Sequence, residues 1–571
     1  MDRITKSLIE ELLNNLELES EGDSKDFERL VNYSVVSNEY SKTFDVEVIT
    51  IGDGNDTGID GIGIIVNGQL VESKEEVDDL IERNNFLEVT YIFTQAKTSS
   101  NFNSGEIGTF LFGVNDFFAD QPSLVRNESI ERFAEVSNHL YDKASYFTEN
   151  PRIKAFYVTT GKWMNDQNLL AVINQGVDNL EQKNLFDKVS ITPLGAREIA
   201  TLYRKTKEAE STSFIFNNRV TLPNISGISE AYIGLLPYSE FINIIADDDG
   251  KLRNVFEDNV RDFQGDTNDV NSGINSTLNS SSSDIFSVLN NGVTIVASEI
   301  SATGDNFIIK EYQIVNGCQT SNVLYNNKDG QYLGNVNVPV KIIATVDDEI
   351  KNRITLATNN QTPIKKEQLA SLTAFQRSLE QYYNSYKGDQ RLYYERRSKQ
   401  YNSDNSVLKT RIITVPYQIK SFSAMFLDNP HSVTSFFGVI VRRLNEGKSP
   451  VFNKDHSYIP YYTSAYAYYK LETQFRKRAI DSQYKKVRFH ILIVLRMIIN
   501  RGSVPPLNSN RRMEQFCRPI LNILNDEEQA LVYFNICIDI INNADFDHLD
   551  KQDVKLLSKT KNLIETVNNH C

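Results

Sequence analysis

Asp60, Gln95 and Lys97 are the residues of this sequence whose types and spacing could act on a phosphodiester. Asp60 stands in GIDGIGIIVNG (58–68), an acid at a turn that enters an apolar run. Gln95 and Lys97 close the β-rich run LEVTYIFTQAK (87–97). Two strands placed in this way bring the three side chains to neighbouring strand ends. The chemistry they fit is metal-assisted hydrolysis. Asp60 offers the hard oxygen that a divalent cation prefers, and the Gln95 side-chain carbonyl and Ala96 backbone carbonyl can add two more oxygens. Lys97 can position a water or neutralise charge developing in the transition state. Glu28, on an earlier helical segment, could orient a metal-bound water or Lys97. Taken singly, Asp60 also reads as a turn residue beside glycines and Lys97 as a polar strand end. Asp53 and Asp56, in a Gly/Asn-rich turn, are rival ligands.

Alternating strand and helix patterns surround these residues. Apolar positions at helical spacing (Ile4, Leu8, Leu12, Leu13, Leu16) predict a helix over 2–19. Ser24 offers the N-cap of a second helix, SKDFERLVNYSVVS, with Phe27, Leu30, Val31 and Ser34 toward a core and Glu28 at the edge of that stripe. FDVEVITIG (44–52), 58–68, 87–97 and KAFYVTTG (154–161) read as strands. Helices are predicted near 73–83, 105–120, 130–143, 168–180 and 195–207. Such alternation over about two hundred residues predicts an α/β domain with a mixed or parallel sheet.

The chain has 571 residues, too many for one core, and 40% of them are hydrophobic, so two to four folded domains are expected. Four cysteines without CxxC spacing and six scattered histidines argue against structural zinc. No signal peptide or transmembrane-length run is visible, which predicts a cytoplasmic protein with reduced thiols and no membrane partner. The net charge of −15 is unevenly spread. Residues 1–100 hold 22 Asp/Glu against 8 Lys/Arg, a net −14, whereas residues 351–520 hold 29 Lys/Arg against 11 Asp/Glu, a net +18. A polyanion responds to local charge, so the basic half leaves a nucleic-acid partner open; a solvated surface is the plainer explanation.

A second set of motifs follows residue 220: NVRDFQG (259–265), LNNGVTIVA (289–297), QIVNGCQTSNVLY (313–325), ATNNQTPI (357–364) and YYERRSKQY (393–401). Each Asn-Gly alone reads as a tight turn. Together they gather uncharged amides near strand ends: Asn290, Asn291, Asn316, Gln319, Asn359, Asn360 and Gln361. Clustered amides need partners or line a polar pocket. Arg396 and Arg397 suit phosphate contact, and Tyr394, with Tyr393 and Tyr401, suits base stacking. The alternative is that the tyrosines pack between helices and the arginines pair with Glu395 or Asp389. From about Ser464 onward the pattern is helical.

FExLV on a helix, IDG entering a strand and an apolar strand ending QAK resemble the PD-(D/E)xK restriction-endonuclease-like superfamily, in the branch where Gln replaces the acid of the second half-motif. The resemblance covers about residues 20–210. It implies Asp60, Gln95 and Lys97 as the catalytic set with Glu28 as helper, and Asp60, Gln95 and Ala96 holding Mg²⁺ or Mn²⁺. The ordered motifs over about residues 225–520 are similar to the AIPR family, named for abortive infection phage resistance. Arg396, Arg397, Tyr394, Asn316, Gln319 and Asn291 are the nucleic-acid contacts expected there. The expected architecture is α/β: a nuclease-like domain over 1–210, an α+β AIPR core over 211–463 and a helical region over 464–571. The expected function is a metal-dependent nuclease of phage defence, restrained until a trigger or regulatory partner releases it, with DNA ahead of RNA as substrate and a homodimer suited to double-strand cuts. The alternative is a catalytically inactive sensor or scaffold that binds nucleic acid or a nucleotide. An amide-rich pocket that takes a nucleotide or modified base and gates the nuclease is a third reading.

Overall fold

The computed structural model describes every residue except 41, 53, 55, 209, 247–249, 251, 254, 257–274, 279, 281–282, 329, 359–362, 397–399, 402–403, 405, 436–449, 501–502, 545, 547–553 and 571. The chain forms two compact units: Met1–Lys207 together with Ala374–Cys571, and Glu208–Thr373. Helix and strand are mixed, the sheets contain parallel and antiparallel pairs, and the C-terminal region is helical.

The first unit is built around a five-stranded sheet. In chain order its N-terminal segment runs α1 (Arg3–Leu16), α2 (Asp23–Glu39), α3 (Val46–Ile49), β1 (Gly61–Val66), β2 (Gln69–Leu70), α4 (Lys74–Asn84), β3 (Val89–Lys97), α5 (Ser104–Phe117), α6 (Glu128–Asp142), β4 (Arg152–Thr159), α7 (Gln167–Glu181), β5 (Lys188–Leu194) and α8 (Ala196–Lys205). The strand order is β2-β1-β3-β4-β5. β1 is antiparallel to β2 and β3, while β3, β4 and β5 are parallel. Asn67 and Gly68 both take positive φ (49° and 72°), the geometry that closes a two-residue hairpin.

Both faces of this sheet are covered, which is why β1 is apolar at every position rather than at alternate ones. On one face Ile62, Ile64, Tyr91, Phe93, Ala155 and Tyr157 pack with Phe110 and Val114 of α5, Phe133 and Leu140 of α6, and Ile173 and Leu180 of α7. On the other, Ile65, Ile92, Ala96 and Val158 pack with Phe27, Leu30 and Val31 of α2, Leu12 and Leu16 of α1, and Ile199 and Tyr203 of α8. The strand expected over 44–52 is interrupted at its middle by the short helix α3, because the Asp45 side chain accepts from Glu47 N and starts a helical turn. α2 begins at Asp23 after Gly22, without the Ser24 cap.

The C-terminal segment of this unit is helical from well before Ser464: helices Val415–Phe426, Ile459–Arg476, Arg488–Ile499, Asn510–Asn525, Glu527–Asn543 and Leu557–His570 follow one another. Ile459–Arg476 is buried almost all round, the mark of a central helix. Among the described residues no helix is long and apolar enough to cross a membrane.

The second unit holds β6 (Ser211–Ile215), β7 (Asn218–Thr221), β8 (Glu230–Pro237), α9 (Tyr238–Ile245), β9 (Val293–Ala297), β10 (Glu299–Thr303), β11 (Asn306–Lys310), β12 (Gln313–Asn316) and β13 (Asn337–Ala344), with helices Cys318–Asn326 and Asp348–Thr358. Its sheets run β12-β9-β13-β8-β7 and β10-β11-β6. Phe214, Phe241, Phe286, Ile295, Phe307, Ile314 and Ile342 share one core.

Candidate functional site

Asp60 immediately precedes β1, fixed by its own backbone. Its N–H donates to Thr94 O (2.8 Å) and its carbonyl accepts from Ile51 N (3.0 Å) and Asn32 Nδ2 (3.0 Å). Asn32 also donates to Thr50 Oγ1 (3.0 Å) and accepts from the Thr94 hydroxyl, so one buried amide joins α2, the loop before β1 and β3. Only glycine fits next to it: a Cβ on Gly61 would lie well inside van der Waals contact with Asn32 Oδ1 and Thr94 Oγ1.

The carboxylate of Asp60 is buried, with Oδ2 accepting from Ala96 N at 2.7 Å and standing 3.9 Å from Lys97 Nζ. Burial pushes its carboxyl up from 3.8 to about 6; Lys97 and the Ala96 N–H pull it down, and the charges of Glu28 and Asp56 push it up. Glu28 is thus within electrostatic reach from α2, where it pairs with Lys25 at 3.2 Å. Asp56 accepts from Gly58 N (2.8 Å), and Asp53 lies outside the described residues.

Gln95 lies on the β3 face that carries Tyr91 and Phe93, since side chains alternate along a strand. It is 3% exposed, and its Oε1 has no hydrogen-bond partner among the described residues. An orphaned buried carbonyl is costly unless something outside the chain completes it. The Gln95 amide sits over the turn before Asp60, with Nε2 3.5 Å from where a Gly58 Cβ would be. Lys97, on the same face, is about one-third exposed. Asp60, Gln95, Ala96 and Lys97 therefore meet where β1 begins and β3 ends, with the charge of Glu28 acting on Asp60 from α2. Among the described residues no group of three or more His, Cys, Asp or Glu side chains is arranged to hold a metal ion.

Sequence reasoning missed Asn32, Glu106 and Tyr157. Asn32 follows Glu28 by one helical turn, a spacing that could have flagged it. Glu106 and Tyr157 meet through a 2.8 Å hydrogen bond between α5 and β4, which no local pattern signals.

The amide set gathers only in part. β9 and β12 are antiparallel, so Asn291–Gly292 before the one and Asn316–Gly317 after the other lie side by side. A Cβ on Gly317 would come within 2.9 Å of Gly292 O. The glycines, not the asparagines, take positive φ (80° and 89°). Asn316 Nδ2 donates to Thr358 O (2.6 Å), Asn291 is exposed, and Gln319 Nε2 is buried without a partner among the described residues. Asn359, Asn360 and Gln361 lie outside the described residues.

Two expected nucleic-acid contacts are corrected. Tyr394 is wholly buried, 5.5 Å from the Tyr383 ring, and leaves no face for a base. Arg396 is 5% exposed at its side chain and paired with Glu380 at 2.5 Å, which withdraws it from a phosphate. Tyr401 donates to the same Glu380 (3.2 Å). Arg397 lies outside the described residues.

Neither the curated proteins nor the solved structures give a match to this chain. The family described as AIPR protein matches residues 256–569, more than half of the chain's 571. The chain belongs to the AIPR family.

Proposed function

We propose that this chain is a metal-dependent nuclease of abortive-infection phage defence, with its catalytic site at Asp60, Gln95, Ala96, Lys97 and Glu28. Membership of the AIPR family supports the defence role. The observation that carries the nuclease reading is the buried Gln95 Oε1, without a partner among the described residues, on the strand whose next residues hold and face the buried Asp60 carboxylate. That donor set fits a hard divalent cation: a carboxylate, a side-chain carbonyl and the Ala96 carbonyl would hold Mg²⁺ or Mn²⁺, and Mg²⁺ keeps several waters rather than filling its shell from protein. Such an ion, when bound, polarises the phosphoryl oxygen and lowers the pKa of a bound water. Lys97, partly exposed, supplies positive charge where a phosphoryl group would gain negative charge. Glu28 adds a second carboxylate from α2.

The test is cleavage of plasmid DNA and of RNA with Mg²⁺ or Mn²⁺. Wild type should cut, and Asp60→Ala and Lys97→Ala should each lose at least about 100-fold, the scale seen when a single charge-stabilising group is removed. Cleavage that survives both substitutions sinks the assignment.

A second reading, an inactive sensor or scaffold, is favoured by the neutral Gln95 and by the lack of a three-acid cluster among the described residues. Calorimetric titration with Mn²⁺ in the presence of nucleic acid separates the two: a silent titration supports the sensor.

A further inference from the structure

One carboxylate beside this site has no role in the assignment above. Glu106 lies in the first turn of α5, whose cap Asn103 accepts from the N–H groups of Gly105 and Glu106 (2.8 and 3.2 Å). The residue is exposed, yet its Oε2 is held by the Tyr157 hydroxyl at 2.8 Å. Tyr157 is wholly buried on β4 and stands opposite Gln95 in the parallel pairing of β3 with β4, on the same face of the sheet. Burial, then Glu106, then Asp60 hold the phenol above its ordinary pKa, so Tyr157 is a neutral donor and lies within the field of Asp60. Thr109, one turn beyond Glu106 on α5, approaches the same spot as Gln95: their atoms Cγ2 and Nε2 are 3.3 and 3.5 Å from the Cβ position of Gly58. The start of α5 therefore lies on the side of β3 and β4 that carries Gln95 and Tyr157, next to the turn that leads into Asp60. A surface glutamate gains little from one more hydrogen bond, but a charge-assisted bond from a buried phenol fixes where its other oxygen points.

Resting on the nuclease reading, we propose that Glu106 is a further catalytic residue, the acceptor of the attacking water's proton, with Tyr157 as its positioning residue. In the step, the water oxygen forms the new bond to phosphorus, and the bond from phosphorus to the leaving oxygen breaks. The water proton passes to the Glu106 carboxylate, and the leaving oxygen takes a proton from solvent. The carboxylate that β3 lacks at Gln95 is supplied from a helix instead. It acts on the proton rather than on a metal, in keeping with the absence of a three-acid ligand group among the described residues.

The full-length chain is assayed on whichever of plasmid DNA and RNA the wild type cuts, with thermal melting run alongside. Glu106→Gln, an exposed and nearly isosteric change, should melt with the wild type and keep KM within about threefold, while kcat falls by about 10²-fold or more, the usual share of a general base. Its rate should then rise with pH in proportion to hydroxide, where the wild-type rate levels off. Tyr157→Phe, which releases the carboxylate without removing it, should lose about tenfold in kcat and keep the wild-type pH profile shape. If Glu106→Gln cuts like the wild type while Asp60→Ala is dead, Glu106 is not the acceptor and the nuclease reading stands. If Glu106→Gln is slow but keeps the wild-type pH profile, proton acceptance is overturned. If the wild type cuts neither substrate, the nuclease reading and this inference fall together.

Discussion

Burial lifts the Asp60 carboxyl from 3.8 to about 6, while Lys97 and the Ala96 N–H only partly pull it back. The folded chain thus binds this proton more tightly than the unfolded chain does. Stability contributed by the group is complete below pH 3.8 and declines as pH rises to about 6, because in that window the unfolded state has already released the proton. That rise corresponds to roughly 3 kcal/mol, and little solvent reaches the side chain to screen it. At neutral pH an ionised Asp60 therefore opposes folding, which is the expected conflict at a site arranged for chemistry rather than stability. Asp60→Asn keeps an acceptor for the Ala96 N–H and removes the charge. Without added metal it should raise unfolding free energy at pH 7 by roughly 1–3 kcal/mol, with the gain gone below about pH 4. Urea melts from pH 4 to 7 measure this, and parallel curves for the two proteins would contradict it. The same variant should be inactive.

At the scale of elements, the junction of α2, β1 and β3 sets how α2, which carries Glu28, sits against Asp60. Asn32 holds it from α2, and Gly61 leaves the space that its amide and the Thr94 hydroxyl fill. Gly61→Ala should cost about 1–3 kcal/mol by overpacking and reduce cleavage further than a surface change of equal stability cost would. Comparing it with such a surface variant in denaturant and cleavage assays separates the two effects. Much of this region was legible because β1 and β3 are long apolar runs and because Asp60, Gln95 and Lys97 lie at the ends of those runs. What escaped has physical causes. The stretch 44–52 has strand composition, but one capping aspartate turned its middle into α3. β5 carries Pro193 and lacks a clean alternation, so it did not register as a strand. Glu106 depends on the β3–β4 register and the seating of α5, and the fates of Tyr394 and Arg396 depend on Tyr383 and Glu380 of the helix Pro363–Asn384. Periodicity reports what faces a core; it does not report which partner waits there.

Across the unit formed by Met1–Lys207 and Ala374–Cys571, the uneven charge of the sequence finds an internal use. Acids of the first segment pair with bases of the second: Glu17 with Arg411 and Arg476, Glu21 with Arg478, Asp45 with Lys485, Glu75 with Lys555, Glu76 with Lys420 and Glu128 with Lys486. Part of the basic surplus is spent on holding the chain's own acidic segment. These pairs are not equal. Glu17 caps α1 in a left-handed conformation (φ 50°) and accepts from Thr410 Oγ1 (2.7 Å), the Tyr469 hydroxyl (3.2 Å), Arg411 Nε (3.4 Å) and Arg476 Nη2 (3.5 Å). Both arginine side chains are largely buried, at 15% and 12% exposure, so losing Glu17 removes the carboxylate they share and leaves Arg411 with the exposed Asp389 (3.7 Å) and the carbonyls of Gly388, Asp389 and Arg391. Glu128, by contrast, is 87% exposed opposite Lys486. Glu17→Ala should therefore destabilise by about 2–3 kcal/mol, a loss that persists in 0.5 M salt because buried charge is weakly screened. Glu128→Ala should cost no more than about 0.5 kcal/mol at low salt and nothing measurable at high salt. Denaturant melts of both variants at two ionic strengths decide the matter. Equal losses from the two, both removed by salt, would mean that diffuse charge attraction rather than the Glu17 anchor joins the segments.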